Sequence, residues 1–308
     1  MMRAAECRTS QQCQVRTILR AATVGLVLSG TCSMANASGR QAPQSATSEP
    51  QSLRDLTRQL EESRLTYHFS WPPDCWVGDD REAVTKFLAD NDQRVKELRS
   101  KLGTAHALEK NPLLRLETAR TVCNVMVAAA VIARNKDESE SVKCLREVLE
   151  AISLIPEAPD DEGWRSVYIS TLLGILQPGV QECGGVEHLA LVAPALVTLE
   201  LQLQAEYYSE IAPQSDYGAS TGVLIGIARC ELMRVAIGAW IFERENHRLP
   251  TSFDEVPLWD PRSSSKGEIP VFEWSLVQDS IFVSWTPPKA LPFQLSIALK
   301  PKAPLGSK

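Results

Sequence analysis

Histidine is scarce in this chain: His68, His106, His188 and His247 stand alone along 308 residues. A lone histidine reads as a surface or satisfied residue rather than a metal ligand. No two cysteines form a C-x-x-C pair, so the ligand set of a structural zinc site is missing. There is no glycine-rich phosphate loop and no dinucleotide fingerprint, and no cofactor is implied. Basic residues are outnumbered, 32 Lys and Arg against 38 Asp and Glu. Residues 38–257 alone carry a net charge of −11, which leaves no basic face and excludes a nucleic acid partner. A long apolar run is also missing at the start: Ala21–Leu28 is far too short to span a bilayer as a stable anchor.

What is there begins with an address. Arg3, Arg8, Arg16 and Arg20 precede that short apolar run, and Ala35-Asn36-Ala37 fits a signal-peptidase site. The expectation is a signal peptide over 1–37, cleaved after Ala37, and export to the periplasm or beyond. A lipoprotein modified at Cys32 is the alternative, although Ser29-Gly30-Thr31 sets the small residues one position off that pattern. The mature chain would hold 28 basic and 37 acidic side chains and no stable membrane span. Of its five cysteines, Cys123, Cys144 and Cys230 lie in helical apolar patterns and read as small buried hydrophobes. Cys75 and Cys183 fall in loops and form the one candidate disulfide pair.

Residues 38–51 are Ser, Gln, Ala and Pro with little to bury, and read as a flexible leader. A helical domain over 52–247 follows. Ser52 and Asp55 resemble a capping box ahead of Leu53, Leu56 and Leu60, and Trp71-Pro72-Pro73 stops that first helix. Val84, Leu88, Asn91, Val95, Leu98 and Leu102 predict a single second helix from Asp79 or Asp80 to Gly103. Asn111-Pro112 opens a third, running to about Arg134. A fourth carries Val142, Leu145, Leu149, Ile152 and Ile155 up to Pro156, and a fifth runs from Trp164 to a stop at Pro178-Gly179. A sixth starts near Val186 with Pro194 in its first turns or kinking it.

The stretch Thr221–His247 organises the whole. Leu224, Ala228, Leu232, Val235, Ala239 and Phe242 form one helical face, and Ile227, Met233, Ile237, Trp240 and Ile241 widen it. Such a helix is walled in on several sides, and Arg229, Glu231 and Arg234 within it argue against a membrane span. Gly222 and Gly226, one turn apart, allow another helix to come close. Beyond it, residues 248–308 read as a small β module with a Pro/Lys tail. Val271–Leu276 and Ser280–Trp285 alternate as paired strands, and Phe293–Leu299 supplies a third. The fold class is therefore α+β and predominantly α, an antiparallel array of about seven helices around a long late helix, followed by a small antiparallel sheet.

Three likenesses attach to these segments. Val125–Pro156, with small Ala129, Ala130 and Ala133 packing one helix and a polar turn at Asn135-Lys136, resembles a tetratricopeptide helical pair. Asn135 and Ser141 stand where that family has glycine and alanine, and the unit does not recur at the expected period. The resemblance implies antiparallel helix pairs and a protein partner. The order of paired helices, long late helix, Arg248-Leu249-Pro250 turn and short strands resembles uncharacterised exported bacterial helical proteins. The final helix, L-P turn, Asp260-Pro261 loop and strand pair is similar to the soluble tail of the type II secretion major pseudopilin. Trp285-Thr286-Pro287-Pro288 replaces that family's metal loop, and no metal site is carried over.

One catalytic pattern occurs. Gly218-Ala219-Ser220-Thr221-Gly222 satisfies the G-x-S-x-G elbow of serine hydrolases, which requires a strand before the serine. Here a helix end and a proline loop precede it, and His247 lies at the other end of the same helix, roughly 40 Å away. Ser220 or Thr221 reads instead as a helix N-cap. Asp160-Asp161-Glu162 reads as an acidic helix start rather than a calcium site. Trp71, Trp76, Trp240, Trp274 and Trp285 read as core anchors before a ligand groove. The expectation is an exported, non-enzymatic interaction or scaffold module of the cell envelope. Its rival is a hydrolase or ligand-binding enzyme assembled in three dimensions near Ser220, Glu206 or His247.

Overall fold

The computed structural model describes residues 52–71, 73, 76, 79–102, 112–153, 164–208, 217–257, 272–277, 280–285 and 295–299. Among them are eight α-helices and three strands: α1 Leu53–Tyr67, α2 Asp80–Asp90, α3 Asp92–Lys101, α4 Pro112–Ala133, α5 Glu138–Ser153, α6 Trp164–Glu182, α7 Ala193–Tyr208, α8 Tyr217–Asn246, β1 Phe272–Val277, β2 Ser280–Trp285 and β3 Leu295–Leu299. The fold is predominantly helical with a small antiparallel sheet, in the order read from the sequence.

α1 starts where its cap predicts. The Asp55 amide donates to Ser52 Oγ at 3.1 Å, and the Ser52 hydroxyl donates back to the Asp55 carboxylate at 2.6 Å. Its end comes earlier than the Pro72-Pro73 signal: His68 adopts the left-handed conformation, with φ 56°, and closes the helix at Tyr67. Glu61 ties the returning chain down, accepting from Trp71 Nε1 at 3.1 Å and from Thr121 on α4 at 3.2 Å.

The single second helix of the sequence reading is two helices. Asn91 breaks it, buried and turned onto local partners. Its Nδ2 donates to the Phe87 carbonyl at 2.9 Å and to Ser63 Oγ at 2.9 Å, and its Oδ1 accepts from Arg94 at 2.7 Å. An asparagine that satisfies itself on neighbouring backbone competes with the helix ladder. The buried stripe runs Val84, Phe87, Asn91, Val95, Leu98, Leu102, with Phe87 rather than Leu88 inside.

α4 and α5 pack as an antiparallel pair, and α6 lies beside α4. α6 continues four residues past Pro178 to Glu182, against the stop expected there. A proline inside a helix costs about 3 kcal/mol. Burial of Leu176, Val180 and Cys183 on either side of it offsets that cost. Gly179 lets α6 approach α4 closely, since a Cβ there would stand 2.6 Å from Val127 Cγ1.

α8 begins at Tyr217, earlier than expected, so Ser220 and Thr221 lie within its first turns and neither is the N-cap. Every residue from Cys230 to Trp240 is buried. The helix is enclosed by α6, α7, β2, β3 and two short 3₁₀ turns, Leu189–Val192 and Phe253–Glu255. At Gly226 the approach expected from its lack of a side chain is to α7, with Leu203 Cδ1 at 2.9 Å from a Cβ built there. At Gly238 the chain after the second 3₁₀ turn crosses the helix, and the Pro257 carbonyl oxygen and Val256 occupy the space of a Cβ. Gly238→Ala is expected to lower stability by about 1–3 kcal/mol in urea denaturation, because a backbone atom cannot give way as a side-chain end can.

α8 ends at His247, left-handed with φ 54°. Arg248 lies over the Phe242 ring at 4.8 Å and makes a two-pronged ion pair with Glu255, at 2.6 and 3.0 Å. The Arg248 guanidinium, with the Thr251 amide, holds the Glu255 carboxyl down to about 2. The sheet has order β1-β2-β3, with Trp274 opposite Val283 and Val283 opposite Ile297. Val283, Trp285, Ile297 and Leu299 are buried, while Glu273, Ser275 and Ser296 are exposed, the two-period alternation of a sheet with one covered face.

Candidate functional site

Charges are rare in the helical core, and those present converge between α7 and α8. Glu231 and Arg234 lie one turn apart on α8, and Glu200 and Gln204 one turn apart on α7. Glu231 is 1% exposed, Glu200 2% and Arg234 6%, so the cluster is sealed from solvent. Arg234 donates to Glu200 Oε2 at 2.5 Å, and Gln204 Nε2 donates to Glu200 Oε1 at 3.0 Å. Both Glu200 oxygens are thereby satisfied. Neither Glu231 oxygen receives a hydrogen bond.

The charges do not balance if both acids are ionised. One guanidinium would face two carboxylates in a sealed site, leaving a net negative charge whose burial costs several kcal/mol. Protonating Glu231 removes that charge and turns an acceptor-only group into a donor, with Glu200 as its acceptor. The electrostatics agree. Burial first, then the neighbouring Glu200, push the Glu231 carboxyl up to about 8, against the opposing pull of Arg234. Burial also raises Glu200, and Arg234 draws it back down. The adjacent Cys230 thiol is raised by burial and by both acids, so it is an inert hydrophobe rather than a nucleophile.

A second cation of α8, the half-buried Arg229, points the other way. Its guanidinium lies where a Gly174 side chain would be and donates to the Ser170 carbonyl at 3.0 Å on α6. Burial alone lowers it to about 10.

The residues weighed from sequence are not brought together. Ser220 is in the first turn of α8 and His247 closes its far end; Glu206 pairs with Arg165 of α6 at 2.7 Å. His68 ends α1 and His188 precedes the first 3₁₀ turn, while His106, Cys75 and Asp160-Asp161-Glu162 lie outside the described residues. Cys183 is buried, with the Ser141 hydroxyl donating to its sulfur at 3.3 Å, and its expected pairing with Cys75 falls outside the described residues. It lies in the turn that follows Glu182, as the loop reading had it, and packs against α5 even though α6 runs on past Pro178. Cys123, Cys144 and Cys230 are buried thiols as expected. Trp71 meets Phe69 and Phe87 edge-on, Trp274 meets Phe253, and Trp240 and Trp285 are buried in the core.

Sequence reasoning used Glu231 and Arg234 only against a membrane span and passed over Glu200. The signal was present: Glu200 falls four residues after Leu196 and three before Leu203, on the apolar stripe of its helix.

The outer face of α7 and of the 3₁₀ turn leading into it is different in kind. Leu191 in that turn and Pro194, Thr198, Leu201 and Ala205 on α7 recur at spacings of three and four and are all exposed, Leu191 at 53% and Leu201 at 58%. By length and composition, Leu116–Ala133 and Leu189–Tyr207 could each cross a membrane, but the first is 61% buried inside the fold and the second only 39%. Apolarity in α4 is accounted for by packing; in α7 a part of it is not. No known protein family, curated protein or solved structure matches the chain.

Proposed function

We propose that this protein is an exported, non-enzymatic helical module that binds a protein partner in the cell envelope. The observation that carries the reading is the uncharged, exposed stripe of α7 and the 3₁₀ turn before it, Leu191, Pro194, Thr198, Leu201 and Ala205. A helix face of this kind fits a groove or a second helix on another protein, which reads it as anchors at spacings of three and four. The antiparallel pair of α4 and α5, with its likeness to a tetratricopeptide unit, supports the same class of role, as does the signal-like start of the chain.

The test is co-purification from envelope extract of the parent organism, with the wild-type chain set beside Leu191→Glu/Leu201→Glu. Both substitutions lie on an exposed face, so circular dichroism is expected to be unchanged. A partner that returns reproducibly with wild type and falls at least about tenfold with the double variant, a loss of about 1.4 kcal/mol or more, supports the reading. No reproducible partner, or one retained equally by both chains, overturns it.

A further inference from the structure

We propose that Glu231 is a proton-binding site built into the α7–α8 interface, occupied while the two helices are docked and emptied in alkaline solution, where its ionisation loosens α7 from α8. Glu231 faces Glu200 from α7 and Arg234 from its own helix, with the Cys230 thiol beside them. Arg234 and Gln204 already satisfy Glu200, and nothing donates to Glu231. Only a proton supplies what the site lacks: it turns the unmatched Glu231 carboxyl into a donor, with Glu200 the acceptor at hand, and brings the charge sum to zero.

The other elements around α8 offer no substitute. β2, β3 and the turn Leu189–Val192 carry no titratable side chain. α6 contributes Arg165, Tyr168 and Glu182, of which Arg165 is held by Glu206 and Glu182 by Arg134. The turn Phe253–Glu255 contributes Asp254 and Glu255, the latter held by Arg248. Arg229 is engaged on the α6 side. The inference concerns the inner face of α7 and does not rest on a partner binding the outer one.

The direction follows from linkage. The folded-state carboxyl, raised from 4.5 to about 8, holds a proton that the unfolded chain has released. Its stabilising contribution is complete below the unfolded value, declines as pH rises through the window between the two values, and is gone above the upper one. The proton itself moves from the Glu231 carboxyl to solvent, leaving a carboxylate beside Glu200.

The experiment compares urea denaturation of the full chain and of Glu231→Gln from about pH 6 to about pH 9; glutamine keeps the shape and donates to Glu200 without titrating. Wild type is expected to lose on the order of 100-fold in folding equilibrium constant between about pH 6 and about pH 8 relative to the variant. Hydrogen exchange of Ala193–Tyr208 amides, corrected for base catalysis, should rise in wild type alone over that range. Parallel profiles for the two proteins overturn the proposal. Should Glu231→Gln fail to fold, difference infrared spectroscopy of wild type decides. An un-ionised carboxyl band present near pH 7 and lost by about pH 9 supports it, and no such band at neutral pH overturns it.

Discussion

Replacing Arg234 by methionine lowers the unfolding free energy by about 3–5 kcal/mol in urea denaturation near neutral pH. The guanidinium is the cationic partner of Glu200 in a site where Glu200 and Glu231 are both almost wholly buried. Without it, both carboxyls must be neutral in the folded state, while both ionise in the unfolded chain above the ordinary carboxylate range. The folded state then binds more protons than the unfolded one, so the loss deepens as pH rises. Removing the acids as well, in Glu200→Leu/Glu231→Leu/Arg234→Met, recovers most of the lost stability, because what is costly is an uncompensated charge rather than the absence of a salt bridge. A loss under about 1 kcal/mol for the single variant would mean that water reaches the cluster, and the account of Glu231 would go with it.

Phe87→Ala costs about 3–5 kcal/mol, through a different mechanism. Phe87 is fully buried at the corner where α2 meets the chain leaving α1. Tyr67, Phe69 and Trp71 surround it edge-on, with ring centroids at 5.7, 5.3 and 6.1 Å. Each such pair contributes about 0.5–1.5 kcal/mol beyond its buried area, and alanine loses all three ring contacts and leaves a cavity in their place. Near-ultraviolet circular dichroism should lose amplitude in step with the denaturation midpoint, since the ring cluster fixes the Trp71 environment. An unchanged near-ultraviolet spectrum would place the aromatic corner outside the cooperative core.

These two sites differ in how visible they are in the chain. The aromatic corner is partly local: Tyr67, Phe69 and Trp71 lie within five residues, whereas the heptad reading set Leu88 rather than Phe87 on the inner face. The helix start at Ser52, the proline opening α4 and the strand Ser280–Trp285 are local, resting on a cap, a ring and an alternation. The charged cluster is not local. Glu200 and Glu231 stand on two different helices, each near the middle, and each alone reads as a charge that ought to face water. Only the docking of α7 on α8 turns two ordinary glutamates and an arginine into a titrating site. The misread boundaries have the same origin. Pro178 is a strong local stop, overridden by burial of Leu176 and Val180; Asn91 fits the heptad by position, yet its amide finds closer partners in Phe87 and Ser63.

Apolar periodicity, caps and breakers, read along the chain, determined that it would be mostly helical, that a late helix would be enclosed on several sides, and that a small sheet would follow. Those are properties of nearest and next-turn neighbours, which the linear order contains. Tertiary packing decided which helix ran through its proline, which thiols were sealed, and which carboxyl keeps its proton. Desolvation and Coulomb energies depend on what closes over a group from other segments, and no spacing rule encodes that closure.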